Sequence, residues 1–224
     1  MTDPRPSPVA VVVETTPKKV FVAALEWPGW CRSGRDADAA FEAFAQAAPR
    51  YRRVVESTGR PLPDDGRATE VVERIEGDSG TAFGVPSRIA ERDRAPTDAA
   101  QAERLAALVA AAWAEFDRVA ASAPAELRKG PRGGGRDTVR IVEHVTGADQ
   151  AYAGVMGLKL RAPAPGDTVA VAAMRSAMLD VLRRPSDGSP LAGKKWPPRY
   201  AARRIAWHAL DHAWEIEDRS DPPS

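Results

Sequence analysis

The chain has 224 residues, 43% hydrophobic and 28% charged, and its 32 Lys+Arg nearly balance 31 Asp+Glu, for a net charge of +1. That balance leaves no basic excess to hold a polyanion, so no nucleic-acid partner is expected. A lone cysteine, Cys31, excludes an intrachain disulfide framework, and aliphatic runs such as Val9–Val13 fall far short of the roughly 20 residues that span a bilayer. Met1–Pro8 holds three prolines and no apolar signal segment, so the expectation is a cytoplasmic protein with no membrane partner.

In chain order, Val9–Glu14 is a β-branched run that predicts a strand. Thr15–Lys19 supplies turn chemistry, and Val20–Leu25 predicts the returning strand of a hairpin. The second run is too continuously apolar for a strand with one wet face. Trp27-Pro28-Gly29-Trp30 through Gly34 reads as a loop. Asp36 is placed to cap a helix reaching about Val55, with Ala40, Phe41, Phe44, Ala48 and Tyr51 at helical spacing. Thr69–Ile75 predicts a third strand, for an α+β module of order β-β-α-β over residues 1–80. The hairpin ending in Trp27-Pro28-Gly29-Trp30-Cys31, then Gly34, then the Ala-rich helix, resembles the HicB-like fold across residues 9–80. Trp30 stands between the glycine and the cysteine, where that family usually runs Pro-Gly-Cys, and no DNA-binding segment follows.

Residues 81–95 are expected to be a linker, with the alternating charges of Arg88–Arg94 in solvent. From residue 96 to 224 helical periodicity predicts an all-α four-helix bundle. Asp98 and Gln101 have capping-box spacing ahead of Leu105, Leu108, Val109, Ala112, Phe116 and Val119 on one face. A second helix is expected over Asp137–Leu158 and a third over Asp167–Arg184, with Val171, Met174, Met178 and Leu182 inward. The fourth runs from Pro197-Pro198 to about Asp218–Ser220. Between the first two, Lys129–Arg136 is glycine-rich and basic but lacks the Gly-Lys-Ser/Thr ending of a phosphate loop, and is expected to be a mobile loop that could serve as a lid, with an anion site as the alternative.

The three histidines are the most informative residues. His208 and His212 are four apart, which on a helix stacks their rings on one face about 6 Å apart at Cβ, close enough to share a metal. His144 lies beside the stripe Ile141, Val145, Ala148, Tyr152 and is expected to face the same interior. One His on a second helix and a His-x-x-x-His pair on a later one resemble the DinB-like family, related to thiol-dependent maleylpyruvate isomerase-like proteins, over about residues 97–219. The resemblance implies a metal held by His144, His208 and His212.

Glu215, three residues past His212, is the candidate catalytic group: a general base, with a fourth ligand, an imidazole orienter or a solvated residue as alternatives. Imidazoles suit Zn, Ni or Fe almost equally. The expected function is a metal-dependent enzyme that activates water or a low-molecular-weight thiol for attack on a small electrophile, as a thiol transferase or hydrolase. The alternative is a non-catalytic metal-binding stress or interaction protein, a homodimer in one version, whose N-terminal module recruits a partner. Arg203 and Arg204 are read either as holding a substrate carboxylate or as reaching outwards to water. Trp207 and Trp214, one heptad apart, are read first as packing between domains or in the bundle and second as a pocket wall.

Overall fold

A computed structural model describes residues 8–60, 62, 68–129 and 135–220. The chain is α+β. Its strands are β1 (Val9–Thr16), β2 (Lys19–Ala24), β3 (Cys31–Gly34) and β4 (Thr69–Glu76), ordered β3-β2-β1-β4 in one sheet. β1 is antiparallel to β2, with Val13 opposite Val22, and β2 is antiparallel to β3. β4 returns parallel to β1, and a bulge leaves Val72 without a partner, since Val11 pairs with Val71 and Val12 with Glu73.

The continuous apolar runs of β1 and β2 now have a cause: the sheet is covered on both faces. Val9, Val11 and Val13 join the main core with Phe44, Tyr51 and Leu105. Val12 and Phe21, pointing the other way, pack with Leu25, Cys31, Ala90 and Trp207.

Two N-terminal elements differ from expectation. Cys31–Gly34 is a fourth strand, paired to β2, rather than a loop. The helix after Asp36 is two helices, α1 (Ala37–Gln46) and α2 (Ala48–Glu56), parted at Ala47 because Pro49 opens the second. The order is therefore β-β-β-α-α-β, not β-β-α-β. Trp30 explains the close fit here. Its ring stacks on Phe44 at 4.4 Å and Tyr51 at 5.3 Å, and its indole N–H donates to the Phe44 carbonyl. Gly29, at φ +96°, meets the last helix so closely that a Cβ there would lie 2.7 Å from Leu210 Cδ1.

The segment expected as a linker carries α3 (Ser79–Phe83), capped by Asp78, and a 3-10 turn at Glu91–Arg94. Buried Glu14 on β1 accepts from the amides of Ser87 and Arg88 and from the Thr81 hydroxyl. Asp93 departs from the expected solvated run. It is 1% exposed, because it accepts from the Ala90 amide and from Arg203.

Four longer helices follow: α4 (Ala99–Ser122), α5 (Thr138–Val155), α6 (Thr168–Leu182) and α7 (Pro198–Arg219). Asp98 and Gln101 exchange the two bonds of a capping box at the start of α4. α7 packs along α4 and also touches α5, while α6 packs on α4 and α5. Thr97 and Ser186 exchange backbone hydrogen bonds that tie the start of α4 to the end of α6. The expected inward residues of α4 and α6 are buried except Val171, which is partly exposed. On α6, Arg175 is buried as well, bonded to Asp149 and Asp117. Among the described residues no helix is long and apolar enough to cross a membrane.

Candidate metal centre

α7 is buried on most sides of its middle: Ile205, Ala206, Ala209, Leu210, Ala213 and Trp214 are all inaccessible or nearly so. A helix with so little wet surface brings any polar side chain on it into the protein interior. His208 and His212 are two such side chains, one helical turn apart. Across from them, Ile141, Val145 and Tyr152 anchor α5 in the core and bring half-buried His144 to the same place.

The potential ligand atoms of the three histidines lie within 4.8 Å of one another. His144 Nε2 and His208 Nε2 are 3.3 Å apart, and the three ring centres are separated by 4.7–5.1 Å. A tetrahedral ion with metal–nitrogen bonds of about 2.0–2.1 Å spaces its ligand atoms by about 3.4 Å. The His144–His208 pair already has that spacing.

Burial, reinforced by His212, Arg204 and His144, pushes His208 down to about 2. Burial and His212 lower His144 too, with Glu215 opposing. Both rings are therefore neutral near pH 7, the form that ligates. Nδ1 of His208 is buried and finds no partner among the described residues.

Glu215 lies outside the triad, on the far side of His212. Its Oε2 is 2.7 Å from His212 Nδ1, and Arg219 donates to its Oε1 at 2.8 Å. The hydrogen bond from His212, with Arg219 beyond it, holds the Glu215 carboxyl below the usual range. An ionised carboxylate only accepts, so Nδ1 of His212 is the donor, and in the neutral ring this tautomer has its lone pair on Nε2. This is the imidazole-orienting arrangement among the alternatives for Glu215. Arg219 also donates to the carbonyls of Arg128 and Arg136.

Other polar and aromatic side chains near these helices are engaged elsewhere. Asp211 pairs with Arg32 of β3 at 3.2 Å. Asp149 is buried between Trp113 and Arg175, and burial raises it to about 6 against the pull of Arg175. Cys31 is buried, and desolvation drives its thiol strongly up, which makes it inert as a nucleophile. Trp207 stands edge-on to Phe21 at 6.3 Å and Trp214 lies under Arg32, so both are packing residues. Of the glycine-rich segment, residues 130–134 lie outside the described residues.

Sequence reasoning treated Tyr152 as core only and gave Trp196 no part. Tyr152 stands edge-on to His208, with ring centres 5.8 Å apart, and Trp196 lies 5.0 Å from Tyr152, forming an aromatic wall beside the imidazoles. Its signal was weak: Trp196 precedes a Pro-Pro pair outside any periodic run. No family model, curated protein or solved structure matches this chain.

Proposed function

We propose that this chain is a metal-dependent enzyme with a DinB-like four-helix bundle, α4–α7, behind a HicB-like N-terminal module. It activates water or a low-molecular-weight thiol for attack on a small electrophile. The observation that carries this reading is the convergence of three imidazoles from two helices, two of them held neutral, with a carboxylate fixing the tautomer of His212. Such a donor set fits Zn, Ni or Fe(II).

His144, His208 and His212 would hold the ion. Because all three ligands are neutral, the ion would keep its 2+ charge and supply Lewis acidity at its open position. The chain's own part is positioning. Glu215 and Arg219 lock the His212 ring, and Tyr152 with Trp196 form an apolar wall that limits water on one side.

The test is elemental analysis of protein purified without a metal-chelating tag. The expected result is about one equivalent of a transition metal in the parent, the stoichiometry of a mononuclear site, and none in His208→Ala. A parent that stays empty after incubation with Zn, Ni and Fe(II), or a His208→Ala variant with full metal, overturns the reading. A thiol-transfer and hydrolase screen of the loaded protein then separates the enzyme from a non-catalytic metal-binding protein.

A further inference from the structure

α7 carries four arginines, and three of them are engaged. Arg199 bonds Glu26 and the Pro96 carbonyl, Arg203 bonds buried Asp93, and Arg219 bonds Glu215. Arg204 differs. Among the described residues it has no carboxylate within ion-pair distance, and its Nη1 is buried without a hydrogen-bond partner. What holds it is aromatic: its guanidinium carbon lies 4.8 Å from the ring centre of Trp207 and 5.6 Å from that of Tyr152, whose hydroxyl also accepts from it.

Those same two rings flank the imidazole cluster, Tyr152 at 5.8 Å and Trp207 at 5.9 Å from the His208 ring centre. Arg204 and His208 are also one turn apart on α7, so they share a face. A guanidinium nitrogen buried without an acceptor, as Nη1 is here, is an unfavourable arrangement, and a planar anion that accepts from the fork relieves it. The charge nearby suits a single negative charge, because the adjacent Arg203 is neutralised by Asp93.

The geometry points to Arg204 as the anchor for a carboxylate on the substrate, so that the electrophile attacked beside His144, His208 and His212 is a small carboxylic acid with an apolar body. This rests on the proposed metal site and names its substrate class. Arg204 also lines a void of about 10 Å³ with Tyr200, Arg203 and Trp207. That space admits one water and no larger ligand, so the carboxylate would approach from the Tyr152 and Trp196 side.

The test uses the full chain, metal-free and Co(II)-loaded, with tryptophan fluorescence as the readout. Acetate, phenylacetate and benzoate are titrated beside their neutral amides. For the aromatic pairs, the acid is expected to bind the parent about tenfold or more tightly than its amide, the worth of one charge-assisted contact. Arg204→Met should erase that preference while keeping the circular dichroism spectrum and metal content of the parent, and Arg204→Lys should keep part of it. His144→Ala should lose metal but retain the acid preference in the metal-free titration. No acid-over-amide preference in the parent, or an equal one in Arg204→Met, overturns the assignment and leaves Arg204 a structural cation served by water. A parent that binds no metal yet prefers acids refutes the metal site alone.

Discussion

Two buried polar clusters in the helical half are built on opposite plans. Between α4, α5 and α6, Asp149 accepts from Trp113 and Arg175, and Arg175 reaches on to Asp117, so each of these side chains has its partner. Between α5 and α7, three imidazoles crowd together with a carboxylate on His212 alone, and among the described residues one ring nitrogen of His208 and one guanidinium nitrogen of Arg204, a turn away, find no partner. A buried polar cluster that serves the fold closes its own hydrogen bonds, because leaving one unmade is expensive. One left open across several residues is arranged for something that arrives from outside.

The contrast is broken most strongly by removing one side of a closed pair. Arg203→Met leaves Asp93 buried and uncompensated, and is expected to lower unfolding free energy in urea by about 3–5 kcal/mol. Its neighbour sharpens the point. Arg204→Met orphans no carboxylate and loses only its contacts with Trp207 and Tyr152, so its loss should be about 1 kcal/mol in the same assay. Equal losses would show that Arg204 serves the fold as Arg203 does.

Next in size is the effect of Glu215→Gln. An amide in place of the carboxylate holds His212 less firmly, and metal affinity measured by chelator competition should fall about 10–100-fold, with the fold intact. Unchanged affinity would return Glu215 to the solvated surface.

The last check is a pH dependence in the closed cluster. Asp149 is raised to about 6 in the folded protein from 3.8, so the native state binds more protons between those values. Its contribution to stability is present below pH 3.8 and is lost as pH rises through 6. The stability of the parent relative to Asp149→Asn should therefore fall between pH 4 and pH 6 and level off above.

Much of this was legible in the sequence, for physical reasons that also set its limits. The long helices announce themselves through apolar periodicity, and the start of α4 through Asp98 and Gln101, because these signals are local. The imidazole cluster was legible because the chain has only three histidines, two of them a helical turn apart. β3 was not, since four residues reading Cys-Arg-Ser-Gly carry no alternation. The break at Ala47 was hidden because apolar spacing runs on through Pro49 to Tyr51. Asp93 was misread because its partner lies 110 residues away, and a charge among charges looks wet until a distant cation covers it.

The position of α7 in the chain has a consequence for synthesis. This last helix supplies Trp207 to one face of the first hairpin and Leu210 against Gly29, while bringing two of the three histidines. A nascent chain that has made β1 through α6 still lacks that cover, and the apolar side of the hairpin stays open until residues 198–219 leave the ribosome. Holding the newborn sheet out of aggregates, and completing the imidazole cluster, thus become one late event that a stop codon before Pro198 would prevent.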